Sequence, residues 1–317
     1  MKRIVVAGSI LVDKINAISA YPKAGELTKI KSVSLAVGGC VPNVAIDLAI
    51  LGGNEISACG SVGKDAEGDF AINEMRRRGV NTEFVTATEN EKTSFTEVMS
   101  VTGGERTFFT YPGASANFGY DEIPLEKMRA DMLHLGYFLL LDKVDAGDGL
   151  RILKRAKELG IKTSIDLVSE NSDKYKIVVP CLKYTDNLIV NEKEASAIAG
   201  EEYSRERLPD ICRKLKEYGV KERVIVHTPE LGACLSKEGY TEVPSFVLPA
   251  GYIKGSTGAG DAFCAGALCG IAEGMSDKEL LTFSAAVAAT SLSAENASDG
   301  IKSRIDTVEF MKTLKTR

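Results

Sequence analysis

Along most of the chain, short apolar runs alternate with segments whose apolar positions recur every three to four residues. Met1–Gly8 carries the run Ile4-Val5-Val6-Ala7 and reads as a first strand. Glu55–Cys59 reads as another, ahead of a helix from about Ala66 to Arg78 that Gly79 closes. Asp148 is placed to cap a helix that runs to Leu159 and stops at Gly160. Lys162–Asp166 is then a strand, and Leu188–Val190 and Arg223–Val226 repeat the pattern. This alternation predicts an α/β fold whose mostly parallel sheet is covered by helices on both faces. In such sheets ligands bind at the carboxyl ends of the strands.

Two stretches break the rhythm. Glu26–Val37 alternates as a strand with no helix before it. Thr93–Tyr111 reads as a hairpin, with Thr102-Gly103-Gly104-Glu105 as its turn. Its Phe95, Val98, Met99, Phe108 and Phe109 are too apolar to be left in water, so the hairpin needs something to cover. The two stretches either form a small sheet of their own or extend the edge of the main one.

Composition narrows the class. A chain of 317 residues suffices for one large α/β domain or two ordinary ones. Hydrophobic residues make up 44% and charged residues 26%, as in ordinary globular proteins. The net charge of −5, with both signs interspersed, argues against a nucleic-acid surface and against a basic membrane anchor. The first apolar run is too short for a signal-peptide core, and the patch Leu133–Leu141 is far too short to cross a bilayer. Seven cysteines, an odd number without metal-type spacing, suggest reduced thiols in the cytoplasm. Cys40 reads as buried packing rather than as a reactive thiol. With two histidines in the chain a zinc site is not expected, and His134 reads as a satisfied core or strand-end residue. Tryptophan is absent, so an aromatic platform for a sugar would use Phe or Tyr.

The chemistry concentrates in Gly255-Ser256-Thr257-Gly258-Ala259-Gly260-Asp261, which opens the small-residue helical run Ala262–Leu268. Residues this small let backbone N–H groups crowd against a ligand. A helix start presents unpaired donors and a partial positive charge, which suits a phosphate. Asp261 follows directly, a carboxylate placed to remove a proton. An anion site beside a base is what phosphoryl transfer to a hydroxyl requires. No Gly-Lys-Ser/Thr follows the glycines, so this is not a Walker A loop, and the spacing is not that of a dinucleotide fingerprint. A second element, Gly38-Gly39-Cys40-Val41-Pro42-Asn43-Val44-Ala45, starts another helix, with Pro42 in the first turn and Gly52 as the stop.

These elements, with Gly60-Ser61-Val62-Gly63-Lys64-Asp65 and Asn191-Glu192-Lys193-Glu194 in the same order, closely resemble the ribokinase-like (phosphofructokinase-B) family of carbohydrate and nucleoside kinases. The resemblance covers essentially the whole chain. It implies a single ribokinase-like domain over 1–317, with a small β-sheet lid from segments at about 14–37 and 93–111. It implies Asp261 as the catalytic base and Gly258, Ala259 and Gly260 as N–H donors to the transferring phosphoryl group. It places Asp13, Gly38, Gly39 and Asn43 on the acceptor, where a carboxylate can accept from two hydroxyls at once. Asn191, Thr257 and Gly232 fall on the ATP side, and Glu194 beside Mg2+, acting through its waters. Asn191 and Glu194 also have the spacing of a helix-capping pair. Glu97 and Arg106 read as solvated lid residues, and Asp166 lies at a strand end near the site.

The activity so implied is ATP-dependent phosphorylation of a primary hydroxyl on a small sugar or sugar derivative. The enzyme would be cytoplasmic, with Mg2+ and ATP, without nucleic acid or membrane, and with room for a homodimer paired through the lid. A nucleoside kinase on the same fold would need a flat apolar pocket, for which Phe95, Met99 and Phe109 are candidates. A sugar-binding sensor with weak catalysis is the reading from a different class. Its motive is the changes at positions 227, 229 and 255, which belong to a wider set of departures from the family. Gly255 stands where the family usually has an Asp associated with a monovalent cation, and Asn296 where Gly is common. His227 and Pro229 replace a Thr and a Gly in a nucleotide-side turn ending at Gly232. Leu167-Val168-Ser169 follows Asp166 where sugar kinases commonly carry a Pro-Asn-containing run. These changes point to weaker potassium activation and to altered ATP contacts, and leave the base and anion loop intact.

Overall fold

Side-chain alternation divides the interior in two. In β1 (Arg3–Ala7), Ile4 and Val6 enter one apolar cluster, while Val5 and Ala7 enter another on the opposite face. The computed structural model describes residues 1–101, 106–169 and 172–317. In chain order the further strands are β2 (Leu11–Ile18), β3 (Ile30–Gly38), β4 (Glu55–Gly63), β5 (Asn81–Thr88), β6 (Ser94–Val101), β7 (Arg106–Tyr111), β8 (Met132–Phe138), β9 (Lys162–Leu167), β10 (Asn187–Asn191), β11 (Arg223–His227), β12 (Leu231–Ser236), β13 (Gly239–Pro244) and the short β14 (Phe246–Val247) and β15 (Lys315–Thr316), which pair antiparallel with each other. Nine of them form one sheet in the order β13-β12-β11-β10-β9-β8-β1-β4-β5. Its pairs are parallel except β11–β12 and β12–β13. The helices Cys40–Leu51, Ala66–Arg77, Ala259–Glu273 and Asp277–Ser291 pack on the Ile4 face. The helices Gly149–Glu158, Glu192–Ala199 and Leu208–Glu217 pack on the other, as the alternation predicts.

Local chemistry explains the helix ends, with one correction. Asp65 caps Ala66–Arg77 by accepting from the Gly68 amide at 2.9 Å, an interaction worth about 1 kcal/mol. The same carboxylate accepts from the amide and hydroxyl of Thr93, tying the helix start to the entry of β6. Asp148 does not cap the helix after it. A wider helical turn, Val144–Asp148, precedes Gly149–Glu158, and the Asp148 carboxylate instead accepts from the Tyr120 amide at 3.0 Å and pairs with Arg151. A nearby competing donor outweighs the capping preference.

The two stretches that break the rhythm join β2 in a separate four-stranded sheet, ordered β3-β2-β6-β7. They do not extend the main sheet, and β3 begins at Ile30 rather than Glu26. The proposed turn Thr102–Glu105 lies outside the described residues. Register puts Asp13, Ala36, Thr96 and Thr110 in one row. With a period of two, Val98, Arg106 and Phe108 share that face, whereas Phe95, Glu97, Met99 and Phe109 point the other way. Val98 is buried and Phe95 and Met99 are half-buried, but Phe108 and Phe109 are each 59% exposed, against the expectation that they be shielded.

All seven cysteines are free and buried. No helix among the described residues is long and apolar enough to cross a membrane.

Candidate active site

The helix Ala259–Glu273 starts at Gly258, whose φ of 79° is left-handed and favours glycine. A Cβ there would also lie 2.4 Å from the Cβ of Ala297. Further along, Gly266 brings the helix so close to Asp277–Ser291 that a Cβ would meet the Ser284 Cα at 2.7 Å. The loop therefore sits on a rigid, closely packed base. Among the described residues, the amides of Gly258 and Gly260 have no acceptor, so they are open to an anion. The Ala259 amide turns back onto the Ser256 carbonyl at 3.2 Å, so in this conformation two of the three expected donors are open.

Asp261, in the first turn of the helix, is buried and lines the adjoining cleft. Its Oδ2 accepts from the Asn43 amide nitrogen at 2.9 Å and from the Tyr137 hydroxyl at 3.0 Å. Its Oδ1 takes no hydrogen bond from the described residues. Burial, and then the negative charge of Asp166, push Asp261 up to about 7, while the two hydrogen bonds pull the other way. A carboxylate poised near neutrality, with one oxygen free, suits proton abstraction.

Asn43 lies on the helix Cys40–Leu51, which packs against Ala259–Glu273 on the same face of the sheet. Its Oδ1 is buried without a partner among the described residues. The two glycines before that helix make room for protein groups. At Gly39, with φ of 88°, a Cβ would lie 2.6 Å from the Ser9 carbonyl oxygen. At Gly38 it would lie 2.7 Å from Oδ2 of Asp13, so the bare Cα is what lets that carboxylate sit where it does. Asp13 has no hydrogen-bond partner among the described residues, and burial raises it to about 6. It lies on the small sheet and outside the walls of the cleft that Asp261 lines.

That cleft also brings together Tyr137, Asp166, Asn191, Glu194 and His227. Asn191 and Glu194 form the capping box that their spacing predicts. The Asn191 side-chain oxygen accepts from the amides of Lys193 and Glu194, and Glu194 Oε2 accepts from the Asn191 amide at 3.0 Å. Glu194 Oε1 accepts from Ser169 and from Asn191 Nδ2, each at 2.8 Å. Burial raises Glu194 to about 7 against these bonds. Three of its roughly four acceptor positions are thus occupied, which fits a metal held through water rather than directly.

A second cleft adjoins the other side of the anion loop. Its walls include Phe246, Leu248, Phe263 and Gly232, with Asn191 and Ser256 at its polar edge. A Cβ on Gly232 would lie 3.3 Å from the Phe263 ring. The His227 imidazole packs against the same ring, tilted by 32° at 4.9 Å between centroids, and lines both clefts. Burial lowers it to about 4, so it is neutral.

Arg106 and Glu97 are more than solvated residues. Arg106 donates to Thr257 Oγ1 at 3.3 Å, linking the small sheet to the anion loop, and Glu97 accepts from Asn16 at 2.7 Å. Phe95, Met99 and Phe109, the candidates for a flat base pocket, lie on the face opposite Asp13. His134 is fully buried between Ser164 and Asp166, and Cys40 is fully buried with its thiol pushed up by burial, as expected of both. Sequence reasoning missed Tyr137. An aromatic at the end of an apolar strand carries the same signal as any core residue.

The pfkB family of carbohydrate kinases matches residues 1–304. A ribokinase from Arabidopsis thaliana is 26% identical over 312 residues, covering 98% of this chain and 81% of that one. Among solved structures, Arabidopsis thaliana ribokinase complexed with ribose and ATP has a TM-score of 0.85 at 25% identity, covering 98% of this chain and 99% of that one. The nucleoside kinase of Methanocaldococcus jannaschii has a TM-score of 0.79 at 20% identity, covering 99% of each chain, and shares the fold.

Proposed function

Because the chain belongs to the pfkB family of carbohydrate kinases, we propose that it transfers the γ-phosphoryl group of ATP to a primary hydroxyl of a small, uncharged sugar or sugar derivative. The observation that carries this reading is the Asp261 carboxylate, held through Oδ2 with Oδ1 free, one residue after an open amide of the anion loop. In this reading Oδ1 takes the proton from the acceptor hydroxyl. The amides of Gly258 and Gly260, with Ala259 between them, stabilise the charge that moves onto the transferring group.

Asp13 and Asn43 hold the acceptor's other hydroxyls, with Gly38 and Gly39 letting the chain approach. Asp13, Asp166 and Asp261 make this side of the site acidic, and among the described residues no lysine or arginine lines the Asp261 cleft. An acceptor that already carries a phosphate or carboxylate would be repelled there, which favours a neutral polyol.

The nucleotide base and ribose occupy the apolar cleft walled by Phe263 and Gly232, with Asn191 and Thr257 toward the phosphates. Mg2+ would be held through water by Glu194 and would offset the phosphate charge. The four-stranded sheet, built from the segments at about 14–37 and 93–111, acts as a lid, and its Arg106–Thr257 contact draws it onto the anion loop. Closure excludes water and limits ATP hydrolysis. On the lid face opposite Asp13, Val33, Leu35 and Phe109 are exposed. A second copy of this chain would cover that stripe, and sedimentation as a homodimer would support the pairing.

The test is ATP consumption with Mg2+ against pentoses, hexoses, sugar acids, sugar phosphates and nucleosides. Turnover confined to neutral sugars is expected. Binding of sugars with no turnover of any of them would identify a sensor and overturn the kinase reading.

A further inference from the structure

At the carboxyl end of β8 the backbone leaves the regular ladder. The pairing with β9 shifts between Leu135 and Phe138, and Tyr137 and Leu139 have φ values of 58° and 81°, which residues with side chains rarely adopt. The Tyr137 amide is captured by Asp166 Oδ1 at 2.6 Å. The other oxygen of Asp166 lies 3.3 Å from His134 Nε2, and His134 Nδ1 lies 2.9 Å from Ser164 Oγ. A buried polar chain thus anchors one tyrosine in an unfavourable conformation. The effect of that conformation is to put the Tyr137 hydroxyl 3.0 Å from Asp261 Oδ2.

We propose that Tyr137 is a positioning residue that aims the Asp261 carboxylate, an assignment that rests on Asp261 being the base. Tyr137 and Asn43 both donate to Oδ2, so the carboxylate can neither rotate freely nor offer that oxygen to the acceptor. Oδ1 alone remains to receive the proton. Tyr137 also biases the proton equilibrium. Its hydroxyl, half-buried at the cleft wall beside two carboxylates, is raised well above its ordinary 10 by burial and by their charge and stays protonated, so it is a permanent donor that favours the charged form of Asp261. A tyrosine that merely filled space would need neither the strained backbone nor the bond from its amide to Asp166.

Tyr137→Phe keeps the ring and removes only the donor. With a neutral sugar acceptor identified by turnover, kcat should fall about tenfold to a hundredfold, with KM for ATP nearly unchanged. The acid limb of kcat/KM should move up by about one pH unit, because the charged carboxylate has lost a donor. Fluorotyrosine at position 137, a stronger donor of nearly the same shape, should move the limb down and guards against a Phe variant that folds poorly. Opposite shifts support the assignment, since packing alone would move neither. If the limb stays in place in both proteins while Asp261→Asn is inactive, Tyr137 only packs and the proposal fails. If Asp261→Asn retains activity, the base assignment fails first and takes this one with it.

Discussion

Asn43 and Asp261 stand 218 positions apart in the chain and meet at 2.9 Å. Each lies in the first turns of a helix on the same face of the large sheet, so one hydrogen bond joins the two glycine-flanked elements. Asp261→Asn keeps the shape of that junction and removes its basicity. We expect kcat to fall about a hundredfold to ten-thousandfold, the usual scale for losing a general base. Acceptor affinity, measured by calorimetry, should be largely retained. Turnover close to that of the unmodified protein would remove Asp261 from the mechanism.

The position of Asp261 near pH 7 gives activity and stability opposite pH dependences. The base works only when ionised, so kcat/KM for the acceptor should fall about tenfold per pH unit below about 7 and level off above it. A folded-state value raised above the ordinary 3.8 contributes stability that is complete below about 3.8 and lost as pH rises through about 7. Unfolding by urea across pH 5 to 8 should therefore show the protein becoming less stable as it becomes more active. Asp261→Asn should reduce that slope. A pH-independent kcat/KM would contradict the raised value.

The anion loop was legible because its chemistry is local: small residues, a helix start and an acid follow one another within seven positions. The alternation of strands and helices was equally legible, because burial on both faces writes apolar runs into the strands. Other features depend on partners that are distant in sequence. Whether Phe95 or Phe108 shares a face with Asp13 is decided by the register of β2, β6 and β7, and a one-residue slip would exchange them. Asp148 looked like a cap because nothing local showed that the Tyr120 amide would compete for it. Tyr137 differs from a core aromatic only through a backbone conformation that Asp166, 29 positions later, holds in place.

Asp13 should separate the two halves of the site. It sits against Gly38 with no hydrogen-bond partner among the described residues, so its acceptor capacity is available to hydroxyls. Asp13→Ala should weaken acceptor binding by about 1.5–3 kcal/mol for each charge-assisted hydrogen bond lost. ATP affinity should barely change. Calorimetric titration with each ligand makes the comparison, and equal losses for both would contradict the division of the site.

Asp47 is expected to limit stability at neutral pH. It is fully buried on the Cys40–Leu51 helix, and burial raises it well above its ordinary 3.8, with the nearby Ser298 hydroxyl and the Arg78 charge offsetting only part of that rise. Its contribution to stability is complete below about 3.8 and is lost as pH rises toward its folded-state value. Each unit in that window costs up to about 1.4 kcal/mol. Asp47→Asn should be more stable than the unmodified protein at pH 8 and should lose less stability between pH 5 and 8. Equal slopes in urea unfolding would show that Asp47 finds a partner in solution.

Potassium should stimulate this kinase little. The position next to the anion loop that usually carries a carboxylate in the family is Gly255, and the neighbouring Glu295 is exposed. Without a carboxylate at position 255, a monovalent ion there would exchange its hydration shell for neutral oxygens, with less to offset the desolvation. Restoring the charge would also crowd the 294–295 backbone, which would have to give by a few tenths of an ångström. A Cβ at position 255 would lie 3.0 Å from the Ala294 carbonyl oxygen and 3.1 Å from Glu295 Cα. Gly255→Asp should therefore lower the melting temperature without conferring a potassium response. The measurement is turnover in buffer free of sodium and potassium, then with potassium or sodium added at constant ionic strength. Strong activation specific to potassium in the unmodified protein would show that the carbonyls of the 294–297 segment, or Glu295 after a shift of that segment, hold the ion without a carboxylate at position 255.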